Sequence, residues 1–408
     1  MKASIALAVG LALAGCGNVG VLPVALPTAV ASPVAPSVAP LVTDDTAALQ
    51  ALLNLGGTVT LEARTYHTTK SLFITKSGTV LQGAGNATVI EYAPPATIES
   101  CKSAAAIQIL CGPANTMPQA LSTPIAIGDT SIQVANSAGL SVGDWLIVGD
   151  WGVFGTYTTV VDWVQVASIS GNSLGLTSPA RVSVSTTRPF APFSSGAGWM
   201  RAVPVSGVVL QDLTVRVDDA GNTSNVVAIY LEGTRNTVVT RVTVDNPLGN
   251  PLTGYFSKGA TFSYDTVVQG RVISEFASAI DLTIEHCQFN RNVIGLDLGT
   301  AFFKVLDNVI NGSENTGIYA LYGVHDGTIS GNTVGYVGIN GDANATGILM
   351  EGDQNVSVSG NTLLGGAGSA SVGVYNVSYV DANWNLPATG NTFTSNIIQG
   401  FTTALVSP

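Results

Sequence analysis

Gly331-Asn332-Thr333-Val334, Gly360-Asn361-Thr362-Leu363 and Gly390-Asn391-Thr392-Phe393 are three copies of one short sequence in the C-terminal part of the chain. Looser copies precede them as Asp307-Asn308-Val309-Ile310 and His286-Cys287-Gln288-Phe289. The central residues of the five copies are 21, 24, 29 and 30 positions apart. A short strand that returns at such intervals is typical of a solenoid, in which one coil stacks on the next. We therefore expect the Asn residues to occupy one turn and to stack as a structural column.

The composition fits short strands separated by turns. The chain has 408 residues, of which 46 are glycine, and only 10 % are charged. Its formal charge of −11 disfavours binding to nucleic acid or to an anionic membrane face through bulk charge. The length alone would allow two domains, but the repeats favour one continuous stack. An acidic chain of this kind remains compatible with a polysaccharide partner.

The first residues have the pattern of an export signal. Lys2 precedes an apolar run that is too short to span a bilayer, and Leu13-Ala14-Gly15-Cys16 closes it. This ending resembles the lipobox of bacterial lipoproteins, which implies that residues 1–16 are the signal peptide and lipobox, that cleavage leaves Cys16 as a lipidated N-terminus, and that the protein contacts the membrane through that lipid alone. The alternative is an ordinary signal peptide. Residues 17–41 contain five prolines and are predicted to form an extended tether that holds the body at the bacterial cell envelope.

The remaining cysteines agree with export. Cys101 and Cys111 are close in sequence and are predicted to form a disulfide in an oxidising compartment. Cys287 stands where other coils carry Asn and is predicted to be buried and inert. No His or Cys lies at ligand spacing, so the sequence predicts no metal site.

A short helix is expected before the first strands. Thr43-Asp44-Asp45 is a capping sequence, Leu49, Leu52 and Leu53 recur at helical spacing, and Gly56-Gly57 would end the helix. Such a helix can cover the open end of a coil stack.

This entry segment resembles that of the pectate-lyase-superfamily β-helices, which include rhamnogalacturonase-like and epimerase-like enzymes and many phage tailspikes. The resemblance rests on the capping sequence and its helix and on the segments Gly56-Gly57-Thr58-Val59, Thr65-Tyr66, Val80-Leu81-Gln82-Gly83-Ala84-Gly85 and Thr88-Val89-Ile90. It implies an all-β, right-handed, single-stranded parallel β-helix. Arg64 departs from the pattern, because the family usually has glycine before the Thr-Tyr pair.

The coil rhythm divides the body of the chain. Residues 42–119 are predicted to hold the cap and first coils, and residues 186–408 the later coils. Between them, residues 120–185 show short alternating segments with Gly and Asn turns, which predict a small antiparallel β insertion. The 45 positions from Val242 to Cys287 hold either two coils or one coil with a long loop, and the prolines and glycines of 247–258 favour a projecting loop.

A second repeated column could carry function. Five segments align, beginning at Ala228, Gly295, Gly317, Gly347 and Gly373. Strand alternation would turn the second residue of each segment inward and the third outward. The outward set is Tyr230, Asp297, Tyr319, Leu349 and Tyr375, with Glu232 and Glu351 two positions further along their strands.

Tyrosines and carboxylates in one strip suit a sugar polymer. Aromatic rings pack on the apolar faces of sugars, so Tyr230, Tyr319 and Tyr375 are the predicted substrate-binding residues. Asp297, Glu351 and Glu232 are the predicted catalytic carboxylates, because glycosidic cleavage uses an acid and a base or nucleophile. Asp297 and Glu351 are expected two coils apart, roughly 9–10 Å at the backbone, as an inverting pair requires. The alternative is that these side chains only form a solvated strand face.

Other activities remain open at this stage. A lyase would need a basic residue, for which Lys258, Arg271 and Lys304 are candidates, and calcium, for which Asp218-Asp219 and Asp342 are candidates. The catalytic signatures of the resembling families (Asn-Thr-Asp, Gly-His-Gly and Arg-Ile-Lys) do not occur in the chain. The sequence therefore favours a lipid-anchored protein that binds an extracellular polysaccharide, with hydrolase, lyase, epimerase and non-enzymatic adhesion or envelope-structural roles all open. It does not decide between monomer and trimer.

Overall fold

The computed structural model describes residues 43–94, 105–110, 119–150, 161–184, 197–218, 226–246, 249–270, 273–321, 323–339, 345–365, 371–380 and 385–408. The predicted lipid site Cys16, the tether 17–41 and the predicted disulfide partners Cys101 and Cys111 lie outside these residues. Within them, no helix has the length and apolar character needed to cross a membrane.

The fold is the predicted right-handed parallel β-helix. Sheet B has ten strands, one from each of ten coils, and every neighbouring pair in it is parallel. Its strands are β3 (Leu72–Ile74), β6 (Ala105–Leu110), β15 (Val227–Glu232), β18 (Leu252–Tyr255), β21 (Ile273–Ile280), β24 (Ile294–Ala301), β27 (Thr316–Leu321), β30 (Thr346–Glu351), β33 (Val372–Val377) and β38 (Thr403–Val406).

Sheet A receives two short strand segments from each coil, separated by a bend. It has 18 strands, because β14 (Val209–Val217) and β17 (Val238–Asn246) each supply both segments of a coil. The other first segments are β1 (Thr58–Thr60), β4 (Val80–Gln82), β19 (Thr261–Ser263), β22 (Thr283–Glu285), β25 (Lys304–Leu306), β28 (Thr328–Ser330), β31 (Ser357–Ser359) and β36 (Thr392–Thr394). The other second segments are β2 (Thr65–Thr68), β5 (Val89–Tyr92), β20 (Thr266–Gly270), β23 (Gln288–Asn290), β26 (Val309–Asn311), β29 (Thr333–Val337), β32 (Thr362–Gly365) and β37 (Ile397–Gln399).

The core lies between the two sheets and runs along the whole stack. Strand alternation sends one or two apolar side chains of most sheet B strands into it, and the predicted inward residues Leu296, Ile318, Ile348 and Val374 are in register and at most 1 % exposed. Gly317, Gly347 and Gly373 lie on top of one another, and a Cβ at Gly317 would meet the carbonyl oxygen of Gly347. The predicted stacking in register is therefore confirmed.

The later coils turn at two separate bends, and at each bend a residue with a left-handed backbone precedes a buried one, as in Asp307-Asn308 inside sheet A and Asn355-Val356 at the start of its first segment. At the bend inside sheet A, the buried residues include Asn308, Asn332 and Asn361, and each backbone N–H donates to the Asn side chain of the next coil at 2.9 Å. This ladder ends at Asn396, not at the predicted Asn391. Asn391 belongs to the other bend, where the N–H of Val356 donates to it. The prediction was wrong because both bends accept the same Gly-Asn-Thr sequence, so the motif alone does not say which bend it occupies.

The region between Val242 and Cys287 holds two coils, so the favoured projecting loop was wrong. Residues 252–255 form β18 of sheet B, and residues 261–270 supply both segments of sheet A. Asp265 is the extra member of the bend column, because its side chain accepts the N–H of Val242 at 2.8 Å. The prolines and glycines that favoured a loop are tolerated where the chain enters this coil.

The cap is a single helix, α1 (Thr46–Leu55), whose Leu49 and Leu53 pack into the core over the first coil. Asp44, which precedes the N-cap residue Asp45, accepts hydrogen bonds from the hydroxyl of Thr46 and, at 2.9 Å, from its N–H, and these bonds lower the pKa of Asp44 to about 2. Arg64 pairs with Asp45 at 2.8 Å and lies over the ring of Tyr66. Arg64, the residue that departs from the family pattern, thus connects Asp45 at the start of the cap to Tyr66 of β2. A one-turn 3-10 helix (Gly85–Ala87) follows later.

The insertion is an antiparallel sheet in the order β7-β12-β9-β10-β11-β8. Its strands are β7 (Gln119–Ala120), β8 (Ser131–Gln133), β9 (Trp145–Asp150), β10 (Val161–Ser170), β11 (Ser173–Leu176) and β12 (Ala197–Ala202). Because β12 pairs with β9, the sheet extends beyond the predicted boundary at residue 185. Two further pairs are small: parallel β13 (Val205–Ser206) with β16 (Thr234–Arg235), and antiparallel β34 (Tyr379–Val380) with β35 (Asn385–Leu386).

Candidate functional site

The outer face of sheet B carries one continuous row of side chains, which we call the sheet B strip. Each member is the register partner of the next, and the row alternates with the apolar residues that fill the core. In stacking order the strip consists of Phe73, Gln108, Tyr230, Thr253, Glu275, Asp297, Tyr319, Leu349, Tyr375 and Val406.

A neighbouring row lies two residues further along the same strands, on the same face. Among its members are Glu232, Tyr255, Leu321, Glu351 and Val377. Tyrosine hydroxyls of the two rows bind carboxylates: Tyr230 Oη donates to Glu232 Oε2 at 2.9 Å, and Tyr319 Oη donates to Glu351 Oε2 at 2.6 Å. The rings of Tyr230 and Tyr255 meet edge to face at 5.7 Å.

Two carboxyl groups are direct neighbours at the centre of the strip. Glu275 and Asp297 are register partners on adjacent coils, so their backbones are about 4.8 Å apart. They are 7 % and 6 % exposed. Burial raises the pKa of Asp297 well above its usual range, and the neighbouring Glu275 raises it further. Burial also raises the pKa of Glu275, against the opposing effect of a hydrogen bond from Tyr255. The pair therefore holds a proton more readily than free carboxyls do, which is the property required of a general acid.

The predicted residues fall on one face, but they do not form one cluster. Asp297 lies beside Tyr319, whereas Tyr230 is three coils away from it. Glu351 is two coils from Asp297 and is also displaced two residues, about 6–7 Å, along the strand, so the two backbones are about 12 Å apart instead of the predicted 9–10 Å. Burial raises the pKa of Glu351 as well. Tyr230 is 1 % exposed, so it does not present the solvent-exposed ring that was expected of a sugar-binding residue. Tyr319 and Tyr375 are half-buried.

Sequence reasoning missed Glu275, the residue that completes the pair. Ile273–Ile280 has no Gly-Ile-Tyr signature, and the coil before it was assigned to a loop, so its register was not visible. The signal was the alternation of 273–277, with Ser274 in the inward column and Glu275 in the outward one. Counting two coils between Val242 and Cys287 would have placed Glu275 beside Asp297.

The insertion packs beside one edge of this face. Ile147, Val161 and Trp163 of the insertion form a core cluster with Phe256, Ile280 and Ala301 of the coils. Arg181 of the insertion binds Asp281 of the coils at 2.7 Å and Asp162 of its own sheet at 3.1 Å. Aromatic side chains of the insertion contribute to this packing, as Trp163 shows at 4 % exposure.

The candidate bases for a lyase are not assembled at the strip. Lys258 forms an ion pair with Asp281 at 2.6 Å, and Lys304 lies exposed in sheet A, away from sheet B. Arg271, Asp219 and Asp342 lie outside the described residues, and Asp218 ends the sheet A strand of its coil. No group of three His, Cys, Asp or Glu that could hold a metal ion occurs in the part of the chain that the structure describes.

The chain is thus a parallel β-helix with acidic and aromatic side chains on the outer face of one sheet. Residues 211–404, just under half of the chain, match the family model described as "Periplasmic copper-binding protein (NosD)". No curated protein matches the chain.

Three solved structures are similar to this one at low sequence identity. The tailspike gp61 of Pseudomonas phage phi297 matches with 13 % identity and a TM-score of 0.45, over 85 % of this chain and 73 % of the tailspike. The surface adhesin PfbA of Streptococcus pneumoniae matches with 13 % identity and a TM-score of 0.45, over 88 % and 76 %. The A-module of the mannuronan C-5 epimerase AlgE4 of Azotobacter vinelandii matches with 15 % identity and a TM-score of 0.42, over 90 % and 95 %. At these identities the likeness concerns the fold and leaves the activity of this chain open.

Proposed function

We propose that this protein binds an extracellular polysaccharide along the sheet B strip and hydrolyses it at the Glu275–Asp297 pair. The observation that carries the proposal is the adjacency of two buried carboxyl groups in the middle of a row that also presents tyrosine rings. Asp297 was a predicted catalytic residue, and its partner is now Glu275 instead of Glu351.

The two carboxyl groups have different surroundings, which gives each a role. Desolvation and the neighbouring Glu275 both disfavour ionisation of Asp297. In this proposal Asp297 therefore carries the proton and acts as general acid toward the glycosidic oxygen. Glu275 receives a hydrogen bond from Tyr255, so it is the ionised member and attacks the anomeric carbon as the leaving oxygen takes the proton of Asp297. Asp297, now a carboxylate, then removes a proton from water, which releases the sugar from Glu275 and restores both groups. The backbones of the pair are about 4.8 Å apart, which allows the separation of about 5 Å between carboxyl groups that retaining enzymes use.

The sugar chain has a surface to rest on beyond the pair. Tyr319, Leu349 and Tyr375 follow Asp297 in the strip and are all half-buried. Tyrosine rings at successive coils, spaced at multiples of about 4.8 Å, can pack on the apolar faces of sugar rings while their hydroxyls remain wet. The hydroxyl of Tyr319 is held by Glu351, which fixes its ring for this contact.

The description of the matching family raises copper as an alternative ligand, but the described residues include no group of three His, Cys, Asp or Glu that could hold a metal ion. Copper sites in proteins are built from Met, Cys and His. The described Cys287 is 1 % exposed, with a thiol whose pKa is raised by burial, and Met350 is fully buried in the core. His67 pairs with Glu91 and His286 stacks on Tyr264, each in a different coil. We therefore assign no step to copper.

The place of action in this proposal is the bacterial cell envelope. The support is the lipobox-like sequence that ends at Cys16 and the proline-rich segment that follows it. Incorporation of labelled fatty acid into the wild-type chain, and its loss in a Cys16→Ala variant, would test the anchor.

The hydrolase assignment is tested by product chemistry. A panel of neutral, amino and acidic polysaccharides is incubated with the purified protein, and new reducing ends and ultraviolet-absorbing unsaturated products are measured. We expect reducing ends without unsaturated products and, by nuclear magnetic resonance, retention of the anomeric configuration. Unsaturated products would show that the protein is a lyase and not a hydrolase. Binding without products would show that the strip serves adhesion only.

A further inference from the structure

Tyr255 contacts both the insertion and the carboxyl pair of the proposed function. It stands on β18, one coil before Glu275 of β21, and both side chains lie on the outer face of sheet B. Because the register partner of Tyr255 is Ala277, Glu275 is its diagonal neighbour, about 8 Å away at the backbone. A tyrosine side chain spans that distance, and its hydroxyl donates a hydrogen bond to the Glu275 carboxylate.

The ring of Tyr255 is fixed by two sets of contacts. It meets the ring of Tyr230 edge to face, with the centroids 5.7 Å apart. It also packs against a core cluster in which the insertion supplies Ile147, Val161 and Trp163. Strand β10 of the insertion packs against β21 as well, so the insertion contacts both partners of the hydrogen bond. Packing of this kind fixes the rotamer of a side chain and thus the place of its polar atom.

We propose that Tyr255 is a positioning residue whose hydroxyl holds Glu275 in the carboxylate form that attacks the sugar, and that the insertion serves the reaction by holding Tyr255 in place. This inference rests on the proposed function and specifies how its nucleophile is prepared. It gives the insertion a role in the site although none of its side chains belongs to the sheet B strip.

The other charged groups that face Glu275 do not take over this role. Burial raises the pKa of Glu275, and the hydrogen bond from Tyr255 lowers it. Asp297, on the next coil, is a like charge that disfavours ionisation of both carboxyl groups. The insertion and the adjoining coils contribute ion pairs of balanced charge, namely Asp162–Arg181, Arg181–Asp281 and Lys258–Asp281. Removal of the Tyr255 hydroxyl should therefore shift Glu275 toward its protonated form.

The first test is a carbon-13 magnetic resonance titration of the full-length protein, labelled at the glutamate carboxyl carbons. The Glu275 signal is assigned by its loss in Glu275→Gln. Because Glu275 and Asp297 titrate as a pair, the quantity compared is the lower midpoint of that signal. Tyr255→Phe removes the hydroxyl but keeps the ring, and it should raise this midpoint by about one pH unit. An unchanged or lower midpoint would overturn the inference.

Two tryptophans of the insertion form a matched pair for the second test. Trp163 belongs to the cluster against which Tyr255 packs, whereas Trp199 belongs to the other core cluster of the insertion. Both are at most 4 % exposed, and neither indole N–H has a hydrogen-bond partner among the described residues, so replacement by Phe removes packing alone. Trp163→Phe should raise the Glu275 midpoint by about half a pH unit, and Trp199→Phe should leave it unchanged. Equal shifts in the two variants, or no shift in Trp163→Phe, would overturn the role of the insertion.

The pH dependence of hydrolysis separates positioning from a merely structural role. The acid limb of kcat/KM reports the ionisation of an essential base or nucleophile in the free enzyme. In Tyr255→Phe it should move upward by the same amount as the resonance midpoint, with rates that approach the wild type at higher pH. A loss of rate that is equal at every pH would overturn the inference. If no polysaccharide is cleaved, the proposed function fails, and the resonance titration still decides whether Tyr255 holds Glu275 as a carboxylate.

Discussion

Two columns of polar side chains run along this β-helix, and they differ in how their polar atoms are satisfied. In the amide ladder, Asn332 accepts two hydrogen bonds from Asn308 at 2.9 Å and donates to Val305 and Asn361 at the same distance. In the sheet B strip, Glu275 and Asp297 are buried side by side with raised pKa values. An amide column satisfies both its donors and its acceptors, whereas a carboxyl column repels itself.

The comparison teaches how to separate structural from functional columns in a repeated fold. A stacked row whose members satisfy one another stabilises the solenoid and needs no ligand. A stacked row that leaves like charges in contact costs stability, and such costs concentrate at functional sites. Position on the coil does not make the distinction, because both rows contain buried polar side chains and both are in register.

The largest expected effect is on catalysis. Glu275→Gln or Asp297→Asn should lower the hydrolysis rate by about 10²–10⁴-fold, since each removes a group that must gain or lose a proton or attack the sugar. The matched controls are Glu285→Gln and Asp307→Asn, which make the same changes on sheet A of the same coils. Rates of reducing-end formation check the prediction, and equal losses in the controls would contradict it.

The same variants should be more stable, not less. Because the folded-state pKa of Asp297 is raised, the folded protein binds more protons than the unfolded chain, and stability falls as pH rises from about 4 toward the folded pKa. Asp297→Asn removes that loss, so its midpoint of urea unfolding should exceed that of the wild type at neutral pH and approach it near pH 4. A less stable variant at neutral pH would show that the pair stabilises the fold.

The amide ladder should respond in the opposite direction. Asn332→Ala leaves buried donors of Asn308 without their acceptor and should cost about 3–5 kcal/mol of unfolding free energy. Asn391→Ala is the matched control, because it alters the same Gly-Asn-Thr motif at the other, partly exposed bend. Its cost should be only about 1–2 kcal/mol. Equal losses in urea unfolding would contradict the assignment of the two Asn residues to different columns.

The sequence predicted the coil stack, the cap, the insertion and the outward row, because each depends on local alternation or on a repeated motif. It assigned Asn391 to the wrong bend, since two bends with the same backbone conformation accept the same residues. It missed Glu275, because the neighbour of Asp297 across a parallel ladder is set by the number of residues in each coil. That number was ambiguous where a turn-rich segment such as 247–258 forms a strand. The burial of Tyr230 could not be predicted from the sequence either, since it depends on packing between distant segments.

Asp265 combines a feature of each column. It occupies the ladder position, yet it is a buried carboxyl whose pKa is raised by burial to about 7. A rise from the ordinary value of 3.8 to about 7 corresponds to roughly 4 kcal/mol of stability that is present at low pH and lost as pH rises from about 4 to 7. Asp265→Asn should remove this loss, so the variant should match the wild type near pH 4 and exceed it by about 2–4 kcal/mol at pH 8. Unfolding free energies measured at both pH values check it, and a pH-independent difference would contradict the assignment of the loss to Asp265.

The smallest expected change in stability concerns Cys287, which stands between Asp265 and Asn308 in the ladder and carries no side-chain amide. Its Sγ accepts the N–H of Asp265 at 3.4 Å, a weaker acceptor than the amide oxygens that serve the later coils. By register, an Asn at this position would present its Oδ1 to Asp265 and its Nδ2 to the carbonyl of Phe262, as Asn308 does to Ile284. Cys287→Asn should therefore raise the free energy of unfolding by about 0.5–1.5 kcal/mol. Cys287→Ala, which removes the acceptor without replacing it, should lower it. A loss of stability in both variants would mean that sulfur volume, and not hydrogen bonding, is what this coil requires, and that the ladder begins at Asn308.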